Sequence, residues 1–248
     1  MKPSAKIILI LHGWPQYRLE SYFLTKHLKE KGYKIVYPDL FDKRFEFTLP
    51  NLLHKVNEML NNESPDVIVG ISMGGLVLPY LARQFPESKL IFVASGANIK
   101  SKSNIFNTLF KIANTTFSKK LFKLFFELPD KHLESLYRLI NPFKGNVENY
   151  EIYEKDTKEN IAFIKSIPIE KELEIVNFVK NTNNRLLLQG LKNETLIFSG
   201  EDDLMMPKEK GIELKKLLQN SHLIINKGEH FNVFGKKDLK IVEDFLLK

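Results

Sequence analysis

The sequence predicts an α/β fold, with a mostly parallel sheet of about six strands that is flanked by helices. Short runs of Val, Ile and Leu alternate with longer amphipathic segments, as in βαβ units. One such run, residues 66–75 (DVIVGISMGG), predicts a strand, a tight turn and the start of a helix. The alternation stops between residues 97 and 185, where helical patterns follow one another without a buried strand. This break predicts a helical insertion.

The predicted strands are short apolar runs bounded by polar or turn-forming residues. They cover residues 6–11, 34–37, 66–69, 89–94, 194–199 and 223–225. Helical periodicity between the first four strands predicts helices over residues 21–31, 49–61 and 76–84. A helix between each pair of successive strands favours parallel pairing.

Four helices are predicted in the insertion, over residues 105–126, 130–140, 147–167 and 170–181. Pro129, Pro142 and Pro168 separate them, because proline breaks a helix from within. The insertion divides the chain into a first core part, an inserted part and a second core part, at residues 1–96, 97–185 and 186–248.

The turn from Gly70 to Gly74 places Ser72 at its apex. A tight strand-to-helix turn forces its apical residue into a strained backbone conformation, so the positions two before and two after it must be small. Gly70 and Gly74 meet this requirement. The backbone N–H of Met73 opens the following helix, where unpaired donors and the helix dipole favour a developing oxyanion. Ser72 is therefore a candidate nucleophile and Met73 a candidate oxyanion donor.

The first predicted strand ends in a loop that can turn its amides towards Ser72. In residues 6–15 (KIILILHGWP), the apolar run breaks at His12 and Gly13. The backbone N–H of Trp14 is then a candidate second oxyanion donor. We interpret His12 as structural, and the Trp14 side chain either as apolar packing or as a pocket wall.

Two segments in the last third of the chain each place a polar residue after a predicted strand. In residues 193–207 (NETLIFSGEDDLMMP), a Gly-x-x-Asp turn sets Asp203 at the carboxyl edge of the sheet, with the adjacent Asp202 as the alternative. In residues 221–231 (SHLIINKGEHF), the loop after the strand carries His230. The chain order is therefore Ser, Asp, His.

Together these four segments resemble the α/β-hydrolase superfamily, in the form of carboxylesterase-like or lipase-like serine hydrolases with a helical cap. The resemblance covers the whole core rather than one motif. It implies a triad in which Ser72 attacks the substrate, His230 takes and returns the proton, and Asp203 orients the imidazole. The sequence departs from the family pattern in the loop after the second predicted strand, where family members often have a glycine-rich turn. Residues 37–50 (YPDLFDKRFEFTLP) contain no glycine, which predicts a differently shaped pocket.

The resemblance also implies that residues 97–185 form a cap that folds over Ser72 and supplies the substrate pocket. Four aromatic residues are predicted to contact the substrate: Trp14, Phe110, Phe117 and Phe231. We interpret residues 105–126 as a cap helix whose aromatic face packs on the core and the pocket. The alternative is a lid that docks on anionic lipid, because its other face carries Lys111, Lys119, Lys120 and Lys123.

Composition favours a soluble protein with one core. The chain has 248 residues, of which 43% are hydrophobic, enough to bury a substantial core. The absence of cysteine excludes disulfides, thiolate metal sites and a cysteine nucleophile. The sequence has no H-x-x-x-H or clustered carboxylate pattern, so neither a metal nor another cofactor is predicted.

The net charge of +7 does not predict a nucleic-acid partner. Lysines alternate with glutamates in helical patterns such as HLKEKG and KELEIVNFVK, which is typical of solvated helix faces, and no nucleic-acid-binding motif accompanies them. The apolar run at residues 7–11 is too short for a signal peptide, and no run approaches the roughly 20 residues that span a bilayer. We predict a cytoplasmic protein without stable membrane association; the sequence indicates no oligomeric state.

The resemblance implies a cofactor-independent hydrolase that forms an acyl-enzyme on Ser72. We predict a carboxylesterase whose small-molecule substrates are small to medium apolar esters. The same fold and triad also serve peptidases, thioesterases, C–C bond hydrolases and lysophospholipases or monoacylglycerol lipases, which stay open as alternatives. A non-catalytic ligand receptor is less favoured because all three triad members are present.

Overall fold

The structure is a computed structural model with side chains. It describes residues 6–14, 23–42, 44, 46–99, 101–104, 107–108, 111, 118–144 and 150–247. Within these residues the chain alternates between strands and helices up to residue 93, continues through helices alone to residue 189, and then returns to strands.

Six parallel strands form one sheet in the part of the chain that the structure describes, in the spatial order β2-β1-β3-β4-β5-β6. The strands are β1 Ile7–Leu11, β2 Lys34–Val36, β3 Val67–Ile71, β4 Lys89–Val93, β5 Thr195–Gly200 and β6 Ser221–Asn226. The predicted parallel α/β sheet is therefore confirmed, and its strand bounds agree with the sequence to within about two residues.

The strand order reverses direction at β1. From β1 the chain first adds β2 on one side, then crosses back to add β3 on the other, with Leu11 paired to Gly70. Open α/β sheets bind their ligands at such a switch point, outside the carboxyl ends of the strands. The loops after β1 and β3 leave the sheet side by side, so the His12 and Ser72 segments become neighbours.

Three helices connect the first strands: α1 Phe23–Glu30, α2 Leu49–Leu60 and α3 Met73–Gln84. The Thr48 hydroxyl caps α2 by accepting from Asn51 N–H, and α2 ends at Asn61, whose left-handed φ of 51° stops the helix. Helix α3 begins at Met73, three residues before the predicted start. The predicted start lay too far along the chain because glycine has a low helix propensity. In the structure, tight packing requires glycine at positions 74 and 75 within the first turn of α3.

The described residues between β4 and β5 include the helices α4 Ser118–Phe126, α5 Asp130–Ile140, α6 Tyr150–Ser166, α7 Ile169–Asn181 and α8 Arg185–Gln189. We call α4 to α7 the inserted helices. Residues 105–106, 109–110 and 112–117 of the predicted helix 105–126 lie outside the described residues, whereas residues 107–108, 111 and 118–126 are helical. An ion pair between Arg138 and Glu154, at 2.8 Å, ties α5 to α6.

The two ends of the inserted segment meet on the core. The backbone N–H of Asn184 donates to the carbonyl of Ala97 at 2.7 Å, and the Asn184 side-chain amide donates to the carbonyl of Leu76 at 2.7 Å. The segment therefore leaves and rejoins the core at nearly the same place. The exact boundaries at 97 and 185 stay a prediction.

Helices cover both faces of the sheet. Alternate strand residues point to opposite faces. Leu9, Ile68 and Phe92 pack with α2, α3, α7 and a later helix, α9 (Lys208–Leu217), while Ile8, Val69 and Phe198 pack with α1 and the last helix, α10 (Leu239–Leu247). Helices α9 Lys208–Leu217 and α10 Leu239–Leu247 were not assigned from the sequence. No helix among the described residues is both long and apolar enough to cross a membrane.

Candidate active site

Ser72 lies between β3 and α3 in a conformation that L-residues rarely adopt, with φ 49° and ψ −112°. Its backbone is held from both sides: Ser72 N–H donates to the Val93 carbonyl at 2.9 Å, and the Ser72 carbonyl accepts from Gly75 N–H at 3.0 Å and from the Ser95 hydroxyl at 2.8 Å. Such strain persists only where surrounding contacts fix it. The neighbouring strand β4 and the loop after it therefore define where the Ser72 hydroxyl points.

The glycines around Ser72 are required by close backbone contacts. A Cβ at Gly70 would lie 2.6 Å from the Cα of Gly75, and a Cβ at Gly74 would lie 2.2 Å from the Leu11 carbonyl oxygen. Side chains do not tolerate such distances, so the turn can form only with glycine at both positions. This agrees with the steric argument made from the sequence.

His230 connects Ser72 to Asp203. Its Nε2 lies 2.8 Å from Ser72 Oγ, and its Nδ1 lies 2.7 Å from Asp203 Oδ2. Because an ionised carboxylate only accepts hydrogen bonds, Nδ1 carries the proton and Nε2 is free to accept the proton of the serine hydroxyl. The structure thus brings together the three residues that the sequence singled out.

Asp203 is buried and held by the backbone that follows it. Its second oxygen, Oδ1, accepts from the N–H groups of Met205 and Met206, both at 2.8 Å, and 2% of the residue is exposed. The neighbouring Asp202, the alternative acid, is exposed. The register of the turn therefore aims one of the two carboxylates at His230.

Two glycines allow the loops that carry Asp203 and His230 to approach each other. A Cβ at Gly200, the last residue of β5, would lie 2.6 Å from the Gly228 carbonyl oxygen. Gly228 itself has a φ of 147°, which favours glycine. The loop after β6 then turns into a short 3-10 helix that begins at His230.

The loop after β1 is braced by His12. The His12 Nε2 accepts from Leu40 N–H at 2.9 Å, and its Nδ1 lies 2.7 Å from the Gly13 carbonyl oxygen, to which it donates. Burial lowers the pKa of His12 to about 4, so the ring is neutral near pH 7. His12 is therefore placed as a structural residue, as interpreted from the sequence.

The hydrogen bond from His12 to the Gly13 carbonyl sets the direction of the Trp14 N–H. In a trans peptide the carbonyl and the N–H point to opposite sides, so the Trp14 N–H points away from the His12 ring that holds the Gly13 carbonyl. Met73 opens α3, and its N–H is among the four at a helix start that lack an acceptor within the helix. Both predicted oxyanion donors thus belong to segments that flank Ser72.

Ser72 lines a pocket in which most of the other lining side chains are apolar. The pocket is lined by Gly13, Trp14, Ile71, Ser72, Val93, His230, Phe231, Val233 and Phe234. Two of the four predicted substrate-contacting residues, Trp14 and Phe231, therefore lie at the pocket. The other two, Phe110 and Phe117, lie outside the described residues.

Two residues of the inserted helices contact residues of the pocket wall, which the sequence did not predict. Glu172 accepts a hydrogen bond from the indole of Trp14 at 2.6 Å, and the Tyr137 ring stacks on that of Phe231, with centroids 5.8 Å apart. The sequence interpretation of KELEIVNFVK as a solvated face was wrong at Lys171 and Glu172, which are 5% and 0% exposed. Charged residues in a helical pattern gave no sign that tertiary packing would cover them.

Comparison with known proteins identifies the fold family. A sequence model for the family described as "alpha/beta hydrolase fold" matches residues 6–237. The chain belongs to the α/β-hydrolase fold family. No curated protein sequence matches this α/β hydrolase significantly. Among its described residues, no group of three or more His, Asp or Glu side chains could hold a metal ion.

Several solved structures resemble this α/β hydrolase. An esterase from Exiguobacterium antarcticum has a TM-score of 0.72 and 16% identity, over 99% of this chain and 93% of that one. An esterase from Thermogutta terrifontis has a TM-score of 0.72 and 14% identity, over 98% and 90% of the two chains. An enol-lactonase from Burkholderia xenovorans LB400 has a TM-score of 0.71 and 16% identity, over 98% and 92%. At these identities the similarity establishes the shared fold alone.

Proposed function

We propose that this α/β hydrolase is a serine hydrolase that works through an acyl-enzyme on Ser72. The observation that carries the proposal is the position of the His230 ring, with Nε2 2.8 Å from Ser72 Oγ and Nδ1 2.7 Å from Asp203 Oδ2. A hydroxyl is a weak nucleophile at neutral pH unless an adjacent base accepts its proton. This arrangement supplies the base and, in the buried Asp203, a group that orients it.

The proposed reaction has two halves. Ser72 Oγ attacks the carbonyl carbon while His230 Nε2 takes the hydroxyl proton, and the tetrahedral oxyanion is bound by the N–H groups of Trp14 and Met73. The C–O bond to the leaving alcohol then breaks, and His230 returns the proton to that alcohol. In the second half a water molecule attacks the acyl-enzyme with His230 again as base, which releases the carboxylic acid and restores Ser72.

The proposed substrates are small to medium apolar carboxylic esters. The pocket wall supports this choice, because Ile71, Val93, Val233 and Phe234 line the same pocket as Ser72 with apolar side chains. Esterases are among the structurally similar proteins, although an enol-lactonase and a meta-cleavage product hydrolase share the fold too. No cofactor, metal or nucleic acid takes part in the proposed reaction, and we propose a cytoplasmic location.

We also propose that residues 97–185 act as a cap and determine the substrate. The contacts of Glu172 with Trp14 and of Tyr137 with Phe231 support this role, because both join inserted helices to residues that line the pocket. The proposed contacts of Phe110 and Phe117 with the substrate belong to the same cap.

Covalent labelling tests the proposed function most directly. A fluorophosphonate that reacts with activated serines is expected to add one equivalent to the protein, whereas Ser72→Ala is expected to lose both labelling and ester turnover. Undiminished labelling of the Ser72→Ala variant would exclude this mechanism. A chain-length series of p-nitrophenyl esters, run beside peptide, thioester and lactone substrates, then distinguishes the carboxylesterase from the alternatives.

A further inference from the structure

One buried hydrogen bond links the inserted helices to the loop after β1. The indole Nε1–H of Trp14 donates to Glu172 Oε2 at 2.6 Å. Glu172 lies in the first turn of α7 and is completely buried. Trp14 follows Gly13 in the loop and lines the pocket beside Ser72. A side chain of the insertion thus holds the residue whose backbone N–H is the proposed oxyanion donor.

The Glu172 carboxyl is in an environment that suits its neutral form. Its Oε1 has no hydrogen-bond partner among the described residues, and burial raises its pKa to about 8 while the Trp14 bond opposes this rise. On the same helix, Lys171 and Glu174 form an ion pair at 2.8 Å. Among the groups on other described elements, Trp14 is the one that shifts the pKa of the Glu172 carboxyl. At neutral pH the acid is therefore mostly protonated.

We propose that Glu172 is a positioning residue that clamps Trp14 and thereby fixes the loop after β1, the proposed oxyanion loop, in its catalytic conformation. The inference rests on the proposed function, because the catalytic effect of the clamp depends on the Trp14 N–H as an oxyanion donor. His12 already holds the Gly13 carbonyl from the core side. Glu172 holds the indole from the side of the insertion, so the Gly13–Trp14 peptide is fixed from two directions.

The clamp depends on pH because its acceptor is a buried acid. When Glu172 ionises, a charge is left buried with one oxygen unpartnered, which is strongly unfavourable although the Trp14 bond favours the ionised carboxylate. We infer that hydration of the unpartnered oxygen outweighs the Trp14 bond and separates α7 from the loop after β1. The clamp is therefore closed when Glu172 is neutral and loosens when it is ionised.

Intrinsic fluorescence tests the clamp without any substrate. Trp14 is the single tryptophan of the 248 residues, so emission excited at the red edge of indole absorption reports this contact. We expect the wild-type emission to titrate with a midpoint near the pKa of Glu172, and we expect Glu172→Gln to abolish that titration. Glu170→Gln removes an exposed acid from the same helix and is expected to titrate like the wild type. A titration in Glu172→Gln equal to that of the wild type would overturn the clamp.

Kinetics test whether the clamp positions a catalytic group. Glu172→Leu removes the acceptor and is expected to lower kcat about ten-fold with a much smaller change in KM, because an oxyanion donor acts in the transition state. Glu172→Gln keeps an acceptor oxygen and is expected to restore most of kcat, without the alkaline loss of activity near the Glu172 pKa. Unchanged kcat in Glu172→Leu would reject the positioning role.

The two tests also separate this inference from the proposed function. If the wild-type protein hydrolyses no ester and reacts with no phosphonate, the proposed function fails, yet the fluorescence titration still decides whether the clamp exists. If Glu172→Leu does not fold, the comparison of Glu172→Gln with Glu170→Gln remains decisive.

Discussion

Asp203 Oδ2 lies 2.7 Å from His230 Nδ1, whereas Asp202, one residue earlier, is exposed to solvent. Asp203→Asn is therefore expected to lower kcat by about 10⁴-fold, because the amide cannot hold the imidazole in the tautomer that accepts the serine proton. Asp202→Asn is the matched control and is expected to change kcat little. A larger loss in Asp202→Asn than in Asp203→Asn would reverse the assignment.

Gly74 is expected to be essential for folding as well as for the shape of the turn. A Cβ at this position would lie 2.2 Å from the Leu11 carbonyl oxygen, so Gly74→Ala is expected to destabilise the protein by about 3 kcal/mol or more, measured by urea unfolding. Gly190→Ala is the control, because its Cβ would lie 3.7 Å from its nearest neighbour, the Leu187 carbonyl oxygen. Equal stability of the two variants would show that the turn adapts to a side chain.

His12 is expected to make the protein less stable in mild acid. Its folded-state pKa of about 4 is below the usual value of 6.5, so between these pH values the unfolded chain binds more protons than the folded one. The contribution of His12 to the free energy of unfolding is present above about pH 6.5 and falls by at most about 1.4 kcal/mol per pH unit towards pH 4. The difference in unfolding free energy between wild type and His12→Asn should shrink over this range, and a constant difference would contradict the assignment.

Tyr137 is expected to influence which esters fit the pocket. Its ring stacks on Phe231, and its hydroxyl accepts from the Asn160 side chain at 3.0 Å. Tyr137→Ala removes the ring and is expected to raise kcat/KM for long relative to short esters by about ten-fold. Tyr137→Phe keeps the stack and should keep the wild-type chain-length profile. An unchanged profile in Tyr137→Ala would place the substrate elsewhere.

The inserted helices are expected to bind substrate rather than a membrane. Lys111, Lys120 and Lys123 are exposed, and each lysine near an anionic surface would gain about 1 kcal/mol of binding free energy, which salt would screen. We expect no co-sedimentation with anionic or neutral vesicles at low or high salt. Salt-sensitive binding to anionic vesicles would instead favour the lipid-docking lid.

Much of the fold and the triad geometry could be anticipated from the sequence because their signals are local. The apolar runs that form buried parallel strands are contiguous, and the glycines around Ser72 report a steric requirement of the turn itself. The Gly-x-x-Asp spacing was enough to favour Asp203 over Asp202. In each case the neighbours in the sequence are also the neighbours that determine the conformation.

The remaining features depend on contacts between distant segments. Glu172 follows Lys171 in a pattern that is typical of a solvated helix, and only the packing of α7 against the loop after β1 buries it. Helix α9 contains Gly211, which weakens its helical signal, yet a Cβ there would lie 1.9 Å from Ser199 Oγ. The contact between Tyr137 and Phe231 joins residues that are far apart in the chain. No local pattern encodes such pairs.

The hydrogen bond between Asn184 and Ala97 holds the two ends of the intervening segment together, so that the segment could be replaced as a unit. Its two chain ends are joined at 2.7 Å, so a linker of a few residues, or a foreign segment with equally close ends, could replace it without pulling on the strands that carry Ser72 and Asp203. Under the proposed function, such an exchange would change the substrate while the residues of the proposed triad stay in place. A graft that keeps Asn184 but lacks an acceptor for the Trp14 indole would transfer a new pocket together with a loosened oxyanion loop.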